Sequence, residues 1–234
     1  MDLLSPEIRD ATRKKLESEM IGKVTLLYFT QEPRILIVPG AVPGQECLYC
    51  RETRKLLDEV KSLSDKIELK VLDFVADKEE AAAHGVDKIP ATVVVGDRDH
   101  GIRFFGIPSG YEYTSLVQAI IDVSRGTTEL SPKTKEALRL VAKDVRIQVF
   151  VTPTCPYCTV AVRLGQQMAL ESPRVSCDMI EATEFPHLVQ KYGVLGVPKT
   201  IINEEITLDG AVPEETFLGH VLEAAGSAEP GAGS

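Results

Sequence analysis

The chain repeats itself, and that repeat limits the possible folds more than any other feature. From the cysteines onward two stretches stay in register, without a gap, at an offset of 108. Cys47 matches Cys155, Tyr49 matches Tyr157 and Cys50 matches Cys158. Leu72-Asp73 then matches Ile180-Glu181, Gly85-Val86 matches Gly193-Val194, and Ile89-Pro90 matches Val197-Pro198. Thr92-Val93-Val94 meets Thr200-Ile201-Ile202. A match of this length means that one supersecondary pattern is built twice.

Each copy opens alike. Leu4-Ser5-Pro6 recurs as Leu130-Ser131-Pro132. A serine hydroxyl caps free helix amides, and proline at the first helical position gives up no needed donor. Helices are expected over 6–20 and 132–143. Next come runs of branched and aromatic residues, Val24–Thr30 and Arg146–Thr152, with the composition of buried strands. Helical segments follow each cysteine pair, over Arg51–Ser62 and Thr159–Ala169. Each unit thus reads helix, strand, Cys-x-x-Cys at a helix start, strand, helix, proline-led strand, strand, helix. The fold class is α/β, two tandem units, each a mixed β-sheet flanked by helices. The units are expected at 1–125 and 126–234, the first ending near Ser124–Gly126. The small, polar stretch Gly226–Ser234 reads as disordered.

One departure breaks the symmetry. Sixteen residues separate Thr30 from Cys47, whereas two separate Thr152 from Cys155, so the first copy carries about fourteen extra residues within Gln31–Glu46. Arg34–Val38 fits a short strand, with turns at Pro39-Gly40 and Pro43-Gly44. Both a plain surface loop and a lid or partner surface beside Cys47 fit this insertion.

Composition excludes several classes. A net charge of −9 disfavours nucleic acid and anionic membrane as partners. No apolar run approaches the roughly 18 residues of a spanning helix. The start, Met1-Asp2-Leu3-Leu4-Ser5-Pro6-Glu7, lacks the basic-then-apolar order of a signal peptide, so the expected location is cytoplasmic. In a reducing compartment, close cysteine pairs point to redox chemistry or metal binding.

The spacing suits redox chemistry. A thiolate, not a thiol, attacks a disulfide, and a helix N-terminus favours the charged form through unpaired amides and its dipole. Activated thiols of this kind have pKa values of roughly 3.5–7.5. Cys155 and Cys47 are the expected nucleophiles, and Cys158 and Cys50, one turn on, the resolving thiols. Pro156 fits the first helical position behind Cys155, and Leu48 lacks that preorganisation. The second pair is therefore expected to be the main catalyst. Pro90 and Pro198 each stand 40 residues after the second cysteine and head a strand. A proline there cannot donate to a ladder, and a cis bond would turn the Ile89 or Val197 backbone toward the cysteines to position substrate.

Here the chain resembles a known family, the tandem protein disulfide oxidoreductases of thioredoxin fold, also called glutaredoxin-like. The resemblance rests on Cys47-Leu48-Tyr49-Cys50, on Phe150 to Cys158, on Gly193 to Lys199 and on Gly101 to Gly106. It covers nearly the whole chain. It implies two thioredoxin-like units with cis bonds at Pro90 and Pro198, and reduction, formation or isomerisation of disulfides in partner proteins. It implies electrons from a thioredoxin-reductase-like flavoprotein and no cofactor beyond the cysteine pairs. Thioredoxin's Trp-Cys-Gly-Pro-Cys is absent, and its aspartate six residues before the first cysteine is replaced by Val149 and Ala41. Glu181 or Asp73 is the expected substitute for that proton-relaying carboxylate. Asp209-Gly210-Ala211 stands where a glutathione cradle would carry paired glycines.

Two other readings stand beside this one. Four thiolates can hold a structural zinc, although such pairs usually share one short segment. A thioredoxin fold can also serve as a non-catalytic scaffold. Cys177 reads as a small core residue, and His84, His100, His187 and His220 lack metal-ligand spacing. Tyr49 and Tyr157 can hydrogen-bond near the thiols or simply cover them.

Overall fold

A computed structural model of the chain describes residues 3–31 and 47–226. The strand expected over Arg34–Val38, the rest of that insertion and the tail after Gly226 lie outside the described residues.

The first copy holds α1 (Pro6–Glu19), β1 (Val24–Thr30), α2 (Cys50–Lys61), β2 (Ile67–Asp73), α3 (Lys78–Ala83), β3 (Ala91–Val95), β4 (Asp99–Phe105) and α4 (Glu112–Arg125). The second repeats the order as α5 (Pro132–Arg139), β5 (Val145–Val151), α6 (Cys158–Glu171), β6 (Val175–Glu181), α7 (Pro186–Lys191), β7 (Lys199–Ile202), β8 (Ile206–Asp209) and α8 (Glu214–Ala224). The two opening serines cap as their position suggests: Ile8 N donates to Ser5 Oγ at 3.3 Å, and Thr134 N to Ser131 Oγ at 3.2 Å. The α5 helix ends four residues short of the expected 143, because Leu140 N and Val141 N turn back to Ala137 O and Leu138 O and redirect the chain into β5.

The strands form one sheet among the described residues, in the order β2-β1-β3-β4-β6-β5-β7-β8. Each copy contributes the same four-strand pattern, and β4 of the first pairs parallel with β6 of the second, Ile102 opposite Cys177 through Phe105 opposite Ile180. The copies therefore share a sheet instead of keeping two separate ones. Pairing leaves no open edge on β4, whose free amides and carbonyls would otherwise invite another strand. Charge marks this seam. The buried Asp178 takes Arg103 Nε at 2.5 Å on one oxygen and Arg146 Nε at 2.7 Å on the other. Losing one partner of such a buried group strands the others, so the seam is specified by charge as well as by ladder.

Period-two alternation divides the core. Leu26 and Tyr28 enter one cluster with Leu16, Phe104, Ile147, Val149 and Phe217, while Leu27 and Phe29 enter the other with Phe105, Phe150 and Ile201. Both clusters draw on both copies, and each buried Leu or Phe adds roughly 1.5–3 kcal/mol of transfer free energy. Cys177 lies fully buried in the first cluster, where burial pushes its thiol pKa up. No helix among the described residues is long and apolar enough to cross a membrane.

Candidate active sites

In the second copy, β5 ends at Val151 and the chain turns so that Cys155 N donates to Thr152 O at 3.1 Å. Cys158 N then closes a turn onto Cys155 O at 3.4 Å, and α6 starts at Cys158. Cys155 and Cys158 are joined as a disulfide, their Cα atoms 5.5 Å apart. Cys155 is half-buried and Cys158 wholly buried, so only the first sulfur is open to a partner. The helix starts at the second cysteine, which places Pro156 in the preceding turn and not at the first helical position. Its fixed φ shapes that turn instead. The positive end of the α6 dipole follows directly on the disulfide.

The Val197–Pro198 bond is cis. Val197 O stands 3.7 Å from Cys155 Sγ, and Gly210 N holds Pro198 O at 2.8 Å. Apolar side chains rim the opening: Tyr157 is 70% exposed and Leu195 101%.

The first copy reproduces the plan. Cys47 and Cys50 form a disulfide with the same 5.5 Å Cα separation, Cys47 half-buried and Cys50 buried at the start of α2. Ile89–Pro90 is cis, and Gly106 N donates to Pro90 O at 2.9 Å. Leu48 is 74% exposed. Each pair is thus bonded to itself.

Sheet register corrects the residue equivalences upstream of the cysteines. Tyr28 pairs with Thr92 as Val149 pairs with Thr200, so Thr30 corresponds to Val151 and not to Thr152. The insertion is accordingly thirteen residues, the offset being 121 in these strands against 108 later. Counting six back from Cys47 therefore lands inside the insertion, at Ala41, outside the described residues. The position equivalent to Val149 is Tyr28. Its hydroxyl donates to Cys50 O at 2.6 Å, and burial pushes its pKa up to about 12.

The two carboxylates named from sequence are occupied locally. Asp73 accepts from Val75 N and Ala76 N, and Glu181 Oε2 accepts from Thr183 Oγ1 and Glu184 N. Glu181 Oε1 is buried without a partner.

Two further carboxylates emerge only from the fold. Glu112 begins α4, 1% exposed, with no well-formed hydrogen bond to either oxygen. Burial pushes its pKa up to about 7, an effect softened by Ser115 one turn on. The start of α4 lies beside the turn that leads into the second pair, where Tyr111 N donates to Pro153 O at 3.0 Å, and further along α4 Asp122 meets Arg163 of α6 at 2.6 Å. A signal for it exists, since Glu112 falls on the stripe of Leu116 and Ile120, where an apolar residue belongs. Glu184 is half-buried, and desolvation, with the charges of Glu181 and Glu52, pushes its pKa up to about 7 as well. Its Oε1 accepts from Ile107 N at 2.6 Å, across the seam from the first copy. Nothing in the local sequence marks it.

Comparison with known proteins agrees with this geometry. A thioredoxin-domain family matches residues 145–223. Over the whole chain, a protein disulfide oxidoreductase from Aeropyrum pernix K1 is 30% identical with a TM-score of 0.84, covering 97% of this chain and 95% of that one. The NTD_N/C domain of alkylhydroperoxide reductase AhpF from Enterococcus faecalis V583 is 25% identical with a TM-score of 0.82, covering 93% and 99%. The corresponding alkyl hydroperoxide reductase polypeptide of Pseudomonas putida is 27% identical over 179 residues, 76% of this chain and 32% of its own length. The chain spans about a third of the length of such curated relatives. With two such cysteine pairs in one shared sheet, and 30% identity along nearly the full length of a protein disulfide oxidoreductase, the chain belongs to the thioredoxin-fold disulfide oxidoreductases.

Proposed function

We propose that the chain reduces, forms or isomerises disulfides of partner proteins by thiol–disulfide exchange at both cysteine pairs. The observation that carries this is the sulfur arrangement. An accessible cysteine and a buried one close a disulfide at a helix start, with a backbone carbonyl beside the accessible sulfur. In the reducing direction, the Cys155 thiolate attacks a substrate disulfide. One substrate sulfur leaves as a thiolate with the bonding electron pair, and the other is held as a mixed disulfide. Cys158 loses its proton to the Glu112 carboxylate and attacks Cys155, which releases the second substrate thiolate and regenerates the Cys155–Cys158 disulfide. Glu112 suits the task because a base poised near neutral pH can both take and return a proton. The first pair runs the same exchange through Cys47 and Cys50. Pro198 and Pro90 place the Val197 and Ile89 backbones for substrate pairing.

On this reading the cysteines are the only redox groups required, and the location is the cytoplasm, where the pairs contribute to redox homeostasis. A separate flavoprotein of the thioredoxin-reductase type re-reduces them. The match to segments of longer reductases supports such a donor. The test is turnover of a protein disulfide with dithiothreitol as reductant. Faster reduction than by dithiothreitol alone, lost when Cys47, Cys50, Cys155 and Cys158 are all replaced by serine, is expected. An equal rate with and without the protein would sink the reading and leave a scaffold role.

A further inference from the structure

After each proline-led strand the same backbone bond forms, Gly106 N to Pro90 O and Gly210 N to Pro198 O. The next amide differs between the copies. Ile107 N donates to Glu184 Oε1 at 2.6 Å, whereas the exposed Ala211 donates to no partner among the described residues. Glu184 reaches the first copy because β6 lies beside β4 and because Gly106 has no side chain. A Cβ at Gly106 would stand 2.6 Å from Glu181 Cβ and 2.7 Å from Glu184 Oε1, while a Cβ at Gly210 would meet nothing within 4 Å. The second copy ends in the edge strand β8, so among the described residues no further strand brings an equivalent carboxylate.

Each of these amides follows the glycine that pairs with the proline of its site. Val197 O is beside Cys155 Sγ, Pro198 O is taken by Gly210 N, and the Ala211 amide is the next along the chain from that bond. An extended polypeptide lying against exposed backbone pairs through its main-chain carbonyls, and each free donor adds affinity.

Resting on the exchange chemistry above, we propose that Glu184 is a specificity-determining residue of the Cys47 pair. It caps the Ile107 amide and so withdraws from the first site a main-chain donor that the second site offers. The first pair then favours small or compact disulfides, and the second favours extended polypeptides.

The test uses the full chain with Cys50, Cys155 and Cys158 replaced by serine, leaving Cys47 and the buried Cys177. Two activated disulfides of thionitrobenzoate are compared, one with cysteamine and one with an extended cysteine peptide. The Cys47 thiolate attacks the carrier sulfur, a new S–S bond forms, and thionitrobenzoate leaves with the electron pair of the old one. Its yellow colour gives the rate, and the peptide-to-cysteamine ratio cancels any general effect of charge on Cys47. Glu184→Ala frees the amide and is expected to raise that ratio about fivefold, as one modest hydrogen bond allows. Glu184→Gln keeps an accepting oxygen and is expected to leave it unchanged. Ala211→Pro, in the converse chain retaining only Cys155 and Cys177, is expected to lower the ratio by a similar factor and does not depend on Glu184→Ala folding. An unchanged ratio in Glu184→Ala together with Ala211→Pro, or a ratio that rises equally in Glu184→Gln, overturns the proposal. If Cys47 reacts with both reagents no faster than an ordinary thiol, the redox role of that pair fails, while the ratios still decide on Glu184.

Discussion

The two cysteine pairs share a turn, a helix start and a cis-proline loop, but the opposite half of the molecule presses on each differently. Beside the turn that leads into the second pair it places the start of α4, which carries the buried Glu112, and it leaves the Ala211 amide without a partner among the described residues. Around the first pair it closes the rim, with Glu184 on Ile107 and with Glu181 packed under Gly106. At the strand position equivalent to Val149 the first copy holds the neutral phenol of Tyr28. Head-to-tail joining makes this unavoidable. When a repeat pairs edge to edge with its copy, one unit's outer edge is the other's inner edge, and identical sites acquire different neighbours.

The largest difference expected from this is in turnover of polypeptide disulfides. Cys155→Ser should cut kcat/KM with a protein disulfide about a hundredfold, since the residual activity must come from a site with a capped rim. Cys47→Ser should keep at least about a third of it. Cys158→Ser should accumulate a mixed disulfide through Cys155, visible as a mass increase on intact protein. If Cys47→Ser proves more damaging with both dithiothreitol and a flavoprotein reductase as donor, the ranking of the sites is reversed.

Replacing Glu112 separates them further. On the proposed mechanism Glu112→Gln takes a proton acceptor from the second pair only, and should slow release of its mixed disulfide about tenfold to a hundredfold near pH 7. The Cys47 pair, assayed in a Cys155→Ser/Cys158→Ser chain, should be unaffected. Equal slowing of both pairs would assign Glu112 a general structural role.

Glycines give a third handle. Gly106 and Gly210 both have positive φ, at 90° and 80°, so alanine at either costs about 1–2 kcal/mol from the backbone alone. Only at Gly106 must the new Cβ also displace Glu181 and Glu184, and crowding of that kind adds about 1–3 kcal/mol. Denaturant midpoints should therefore place Gly106→Ala about 3 kcal/mol and Gly210→Ala about 1 kcal/mol below the parent. Equal losses would mean that the seam gives way around position 106.

These contrasts show where the sequence stops being informative. The order of elements, the serine-capped openings and the paired spacing of cysteines and prolines are local or short-range, and a gapless repeat makes them plain twice over. A count along the chain sets Thr30 one residue out of register because strand register is fixed by sheet partners, which the insertion hides. Sequence alone puts Pro156 at the first helical position because proline is equally suited to the turn that precedes a helix. Glu112 and Glu184 are hidden for a deeper reason. Each is defined by a contact between copies, and a repeat reports what the copies have in common, not what one does to the other. Glu112 alone leaves a trace, as a charge on an apolar stripe.

The smallest contrast concerns stability against pH. Glu112 has its pKa raised from 4.5 to about 7 by burial, so the folded chain holds that proton more tightly than the unfolded one. The stabilisation linked to this proton is complete below about pH 4.5, declines as pH rises toward 7 and is gone above it. One pKa unit is worth about 1.4 kcal/mol, and partial solvation lowers the ideal figure, so about 2 kcal/mol is expected across that window. Glu184 shifts in the same direction, again mainly through desolvation, and adds to the slope of the parent protein. Glu112→Gln removes one of the two contributions. It should match the parent near pH 4.5, exceed it by about 2 kcal/mol at pH 8 and retain the shallower slope due to Glu184. Tyr28, with its pKa pushed up to about 12, stays neutral throughout, so Tyr28→Phe should cost the same at pH 5 and pH 8 through loss of its bond to Cys50 O. Urea melts at half-unit pH steps would show both patterns. A Glu112→Gln difference that is flat from pH 5 to pH 8 would mean that Glu112 is not the group titrating at the start of α4, and the contrast between the two sites would then rest on their rims alone.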